Sequence, residues 1–110
     1  MHGLSTTEKL LLLAIMVETD YARKVTSMGK VYARYVELSK LADIEPVTRR
    51  RVLDVIKYLA KTGILWTRVD SFGRYGRTTL IKLLAPPTSL CQELAEDLLI
   101  GELAEGICRG

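Results

Sequence analysis

Three consecutive arginines, Arg49, Arg50 and Arg51, and two more in the segment Gly73-Arg74-Tyr75-Gly76-Arg77 are the residues whose type and spacing suit chemistry. That chemistry is anion recognition. A guanidinium is planar, stays charged and offers a fork of donors that matches a phosphate or the O6/N7 edge of guanine. Two arginines spaced by an aromatic at a turn can enter a narrow minor groove or straddle its phosphates. Glycines beside them let the backbone approach a sugar-phosphate chain. Catalysis finds no footing: there is no Gly-x-x-x-x-Gly-Lys-Ser/Thr phosphate loop, and the single histidine, His2, stands at the N-terminus away from any nucleophile. Cys91 and Cys108 have no metal-ligand neighbours, so no metal and no cofactor is expected. The two cysteines read as reduced thiols of a cytoplasmic protein, Cys91 as small apolar filler and Cys108 at a frayed end.

The elements that must hold these arginines are legible around them. Pro46 is suited to a first helical position, and placing successive residues 100° apart puts Val52, Val55, Ile56 and Leu59 on one face. Arg50, Asp54, Lys57 and Lys61 fall opposite, Val47, Arg51 and Tyr58 flank that polar face, and Arg49 sits nearer the rim. Gly63 supplies a residue able to take positive φ after the last turn. Residues 64–70 and 77–84 are rich in β-branched and apolar side chains with partial alternation, and Gly73 and Gly76 suit the hairpin turn between them. The arginines therefore lie at the start of a helix and at the tip of a hairpin. Cations in a helix's first turn oppose its dipole by a few tenths of a kcal/mol each, a cost that an external anion offsets.

Upstream, Ser5 with Glu8 is a capping box, and the apolar run 10–17 predicts a helix buried on most of its circumference. Residues 19–27 read as a polar loop. A second helix begins near Ser27 or Met28 with the stripe Val31/Tyr32, Tyr35/Val36, Leu38 and Ala42. Downstream, Pro86 and Pro87 break the chain. Ser89 with Gln92 forms another capping box for a last helix to about residue 105, striped by Leu90, Leu94, Leu98 and Leu99. Its acidic residues Glu93, Glu96 and Asp97 read as a solvated face, and Trp66 and Tyr58 as core and rim packing. The predicted class is mainly α with a small β-hairpin, a winged helix-turn-helix in the order α-α-α-β-β-α. It forms a single domain over residues 1–110, with its core at about 4–84 and an additional C-terminal helix at about 89–105.

Charge is polarised along the chain. Residues 1–44 carry six Lys/Arg against five Asp/Glu, residues 45–82 nine against three, and residues 83–110 one against five. The basic middle is where a polyanion would dock. No run approaches the roughly eighteen apolar residues of a spanning helix, and no secretory leader is visible, so no membrane partner is expected.

The segments Thr48-Arg-Arg-Arg-Val-Leu-Asp-Val-Ile-Lys-Tyr-Leu, Thr62-Gly-Ile and Gly73-Arg-Tyr-Gly-Arg-Thr78 resemble one family, the C-terminal winged-helix domain of archaeal origin recognition complex/Cdc-type replication initiators. Val31-Tyr-Ala-Arg-Tyr35 and Glu8-Lys-Leu-Leu-Leu-Leu-Ala-Ile15 are similar to that family's first two helices, so the resemblance covers residues 4–84. It implies origin recognition on double-stranded DNA, with a recognition helix in the major groove and the wing in the adjacent minor groove. Carried over by position, Val47, Thr48, Arg49, Arg50 and Arg51 open the recognition helix, and Gly73, Arg74, Tyr75, Gly76 and Arg77 form the wing. The family's ATPase module has no counterpart in this chain, so no enzymatic activity is carried over. The expectation is a non-enzymatic, cytoplasmic, nucleoid-associated DNA-binding domain. Two rivals stand beside it: a protein-interaction module docking the replicative helicase or another initiator subunit, motivated by the acidic last helix, and a small transcription regulator.

Overall fold

Helix α1 (Thr6–Glu18) starts where the capping box predicts. The Ser5 hydroxyl accepts from the Glu8 amide at 3.2 Å and the Glu8 carboxylate accepts from the Ser5 amide at 3.3 Å. The computed structural model describes residues 4–71 and 77–109. Leu10 through Met16 are all fully buried, so α1 has no solvent face over two turns and forms the middle of the domain. Helix α2 (Met28–Leu41), strand β3 (Arg77–Leu83) and helix α5 (Gly101–Arg109) pack around it.

Between α1 and α2 the expected polar loop contains strand β1 (Thr26–Ser27). This correction has a non-local cause: Thr26 pairs with Ile81 and Ser27 with Leu80, partners more than fifty residues away. The same loop holds Asp20, Tyr21 and Ala22 at positive φ. The Thr19 hydroxyl accepts from the Ala22 amide, and the Tyr21 hydroxyl donates to the Ile107 carbonyl at 2.7 Å, so this turn is held from inside and from α5.

Helix α3 (Arg49–Lys61) begins three residues later than Pro46 predicts. The reason is local hydrogen bonding. The Val47 amide donates to the buried Tyr35 hydroxyl at 3.0 Å, and the Thr48 side chain caps the helix by accepting from the Arg51 amide at 3.3 Å. Val52, Ile56 and Leu59 are fully buried, while Val55 is half-buried. At the other end Gly63 takes φ 85°, with its amide on the Ala60 carbonyl and the Ile64 amide on the Leu59 carbonyl.

Strand β2 (Leu65–Ser71) pairs antiparallel with β3 from Leu65↔Leu83 to Ser71↔Arg77, and the sheet order is β1-β3-β2. Leu65, Ile81 and Leu83 face the core. Trp66 therefore turns the other way, because successive strand residues alternate faces, and it is 38% exposed rather than in the core as expected. The Arg68 guanidinium lies 5.8 Å from its ring and pairs with Asp70 at 2.9 Å.

The single last helix expected over about 89–105 is two helices, α4 (Pro87–Ala95) and α5. Helix α4 starts at Pro87, which has no amide to leave unsatisfied, so the Ser89 capping box is not used. The break is made by Asp97. One carboxylate oxygen accepts from the Leu99 and Ile100 amides, at 2.8 and 3.0 Å, and the other pairs with Lys9 of α1 at 2.7 Å. Asp97 is thus a half-buried anchor, not part of a solvated face. Leu90 and Leu94 are buried as expected, but Leu98 and Leu99 sit on the turn, 101% and 70% exposed. Helices α4 and α5 meet so closely at the turn that a Cβ on Gly101 would lie 2.7 Å from the Ala95 carbonyl oxygen.

This hairpin also overturns the reading of the cysteines as free thiols. Cys91 and Cys108 form a disulfide with Cα atoms 5.9 Å apart. On one continuous helix, seventeen residues would separate them by about 25 Å at 1.5 Å per residue. Folding back at Asp97 brings them together.

The Lys9 hydrogen bond holds the Asp97 carboxyl below the usual carboxylate range, outweighing burial, which pushes it up. A depressed folded-state pKa means that this contribution is present above the unfolded value of about 3.9 and is lost as pH falls through the folded value. Urea melts at neutral pH and near pH 3 should show the wild type losing more stability than Asp97→Asn. A hydrogen bond to a charged group contributes about 1.5–3 kcal/mol, which sets the scale of that difference. Equal acid sensitivity of the two proteins would remove this role from Asp97.

Candidate nucleic-acid interface

The polar face of α3 and the end of the sheet enclose one open groove of about 520 Å³. Arg49, Arg50 and Lys57 enter it from α3, and Arg77 from β3. Its apolar lining is Met28, Leu53 and Val69, with Thr78 and Thr79 on the strand side. No carboxylate lines it, and among the described residues none forms an ion pair with these four cations. Four unpaired cations converge on one concavity.

Each cation is positioned by the local fold. Because Thr48 is the N-cap, Arg49, Arg50 and Arg51 are the first three helical residues. That places them nearer the positive end of the dipole than a start at Pro46 would. The Arg49 guanidinium lies 6.0 Å from the Tyr32 ring on α2, a cation–π contact that sets its direction at the rim. Arg50 is exposed and points into the groove, and Lys57 follows seven residues later, two helical turns along the same face. Arg77 opens β3 opposite Ser71.

The candidate residues read from sequence divide unevenly. Arg49, Arg50 and Arg77 come together in this groove. Arg51 does not: it lines a shallower depression on the other flank of α3, with Glu8, Asp54, Val55 and Tyr58. Thr48 is exposed, its oxygen engaged with the Arg51 amide. Val47 packs its side chain against the core and gives its amide to Tyr35, so it holds the helix entrance in place. Gly73, Arg74, Tyr75 and Gly76 lie outside the described residues. Lys57 was placed on the polar face but not among the candidate residues; its spacing of seven from Arg50 was the signal for it. Tyr32 and Tyr35, read as core stripe, turn out to position the arginine-bearing end.

Comparison with known proteins adds an independent line. The family described as "CDC6, C terminal winged helix domain" matches residues 1–93. The chain is 41% identical over 95 residues to ORC1-type DNA replication protein 1 of Aeropyrum pernix, covering 86% of this chain and 24% of that protein. It is 38% identical over 88 residues to the protein of the same description from Sulfurisphaera tokodaii, covering 80% and 22%. The solved structure of the Aeropyrum pernix ORC1 protein in complex with DNA superposes with a TM-score of 0.84 at 40% identity, covering 91% of this chain and 26% of that one. The chain thus spans about a quarter of the length of these relatives. The family match ends at residue 93, so α5 and Cys108 lie beyond it. Among the described residues no helix is long and apolar enough to cross a membrane.

Proposed function

The chain belongs to the CDC6 C-terminal winged-helix domain family, and from that premise we propose that it binds duplex DNA without catalysing a reaction, as the origin-recognising part of a replication initiator. The observation that carries this reading is the groove in which Arg49, Arg50, Lys57 and Arg77 converge with no lining carboxylate. The relative solved with DNA supports the same ligand. Its place of action would be the chromosome, in the cytoplasm.

In this reading α3 enters the major groove by its first turns. Arg50 forks onto a base edge, and Arg51, on the opposite flank, reaches a base edge or the phosphate beyond it. Arg49 and Lys57 neutralise phosphates. Thr48 donates its hydroxyl proton to a phosphate while its oxygen keeps the Arg51 amide. Arg74 and Arg77 hold the minor groove, Tyr75 shapes the loop, and Gly73 and Gly76 let it come close. Val47 sets the angle of entry through Tyr35.

Titration of labelled duplex at several salt concentrations tests the assignment. The two phosphate-neutralising cations, Arg49 and Lys57, would make log K fall with log salt at a slope of about −2, and Arg49→Ala should shallow it by about 0.9. Arg50→Ala should instead cost about 1–3 kcal/mol on the preferred sequence alone. Binding unchanged in both variants would discard the mapping. No salt-dependent binding at all would favour the rival reading, a module docking the replicative helicase or another initiator subunit.

A further inference from the structure

The α4–α5 turn offers the chemical complement of the basic groove. Leu98 and Leu99 are consecutive and both open to solvent, an exposed apolar pair at the tip of the turn. They are not on a loose loop: Asp97 fixes the turn to the Leu99 and Ile100 amides and to Lys9, and the Cys91–Cys108 disulfide closes the loop that carries it. Exposed carboxylates Glu96 and Glu102 flank the pair. The groove has the complementary pattern, apolar lining from Met28, Leu53 and Val69 beside the cations Arg49, Arg50, Lys57 and Arg77. Its volume of about 520 Å³ lies within the roughly 300–1,000 Å³ that accepts a compact apolar ligand.

We propose that the Leu98–Leu99 turn of one copy of this chain docks into the α3–β3 groove of a second copy, a head-to-tail contact displaced by DNA. The turn is tied to α1 by Lys9, and α1 does not line the groove, so the complement comes from another molecule. Two leucines leave water for the groove's apolar lining while Glu96 and Glu102 meet its arginines. Because turn and groove are different surfaces, the contact is heterologous: in a pair one copy keeps its groove free and the other its turn, so further copies can add. The contact is small, below about 1,200 Å², and belongs to the weak class of interfaces. The association stands on the groove's charge and shape; its regulation by DNA rests on the function proposed above.

Complementation of two variants tests it by sedimentation at protein concentrations of about 0.1–1 mM and about 50 mM salt, where surface charges are little screened. Leu98→Asp with Leu99→Asp removes the turn and keeps the groove; Arg50→Glu with Arg77→Glu does the reverse. All four side chains are exposed, and circular dichroism verifies that both variants fold. Wild type should associate, each variant alone should be monomeric, and an equimolar mixture should recover a dimer that about 300 mM salt dissolves. Monomeric wild type, or a mixture that stays monomeric, overturns the proposal. A short duplex should dissolve the wild-type assembly; a duplex that binds and leaves the assembly intact overturns it as well. Should the mixture pair while no duplex binds, the DNA reading fails and the self-association stands.

Discussion

Arg50→Glu is expected to make this domain more stable while removing most of its affinity for DNA. Arg50 is the second residue of α3 and exposed, so the substitution removes no core contact. It replaces a cation by an anion where the helix dipole is positive, worth about 0.3–1 kcal/mol in favour of the folded state. In a domain of this size that raises the melting temperature by roughly 2–6 °C. On the DNA side the same change deletes a donor fork, worth about 1–3 kcal/mol, and adds like-charge repulsion against phosphate. Affinity should fall on the order of 100-fold, since each 1.4 kcal/mol is tenfold. Thermal scans and anisotropy titrations of one preparation read both quantities. Opposite movement of stability and binding is the signature of residues retained for a ligand. Lower stability with unchanged binding would show that Arg50 serves the fold.

Reducing the Cys91–Cys108 bond should be the costliest single covalent change. The bond closes a loop with a sequence separation of seventeen, for which the chain-entropy account gives about 3 kcal/mol. Loss of that constraint corresponds to a fall in melting temperature of roughly 10 °C or more. Cys108→Ser should reproduce it without reductant. The loosening should be confined to the Asp97 turn, α5 and the 19–24 turn that α5 holds through the Tyr21–Ile107 bond, and none of these lines the basic groove. Hydrogen exchange should accordingly quicken over 98–109 and 19–24 while the DNA titration is unchanged. A melting temperature insensitive to reductant would mean that α5 is held by packing of Ala104, Leu103 and Ile107 alone.

What was readable from sequence follows how local each determinant is. The start of α1 rests on two side chains three residues apart, Ser5 and Glu8, and it was placed correctly. The buried face of α3 and the glycine after it are likewise local, and Val52, Ile56, Leu59 and Gly63 lie where expected. Strand β1 exists only because β3 is beside it, so no signal within Thr26–Ser27 announced it. The broken last helix depends on Lys9, a residue from the far end of the chain that pairs with Asp97 and so engages a carboxylate that read as solvated. The disulfide follows from that break. At the basic groove, residue types and helical spacing were enough for Arg49 and Arg50. The separation of Arg51 from its neighbours depends on how α1 and β3 flank the helix, which no local pattern records.

Helix α1 has a further consequence for biosynthesis. Its seven fully buried consecutive residues are shielded by α2, β3 and α5, all of which follow it in the chain. Ribosomes add about 5–20 residues per second, so the last of that cover emerges on the order of 5–20 s after α1. Throughout that interval the nascent chain displays a greasy rod with no hydrophilic side. Early pairing with α2 can hide only one flank, and the remainder waits for β3 and α5. The all-round burial that stabilises the finished domain therefore makes the half-synthesised chain a natural client for holding chaperones.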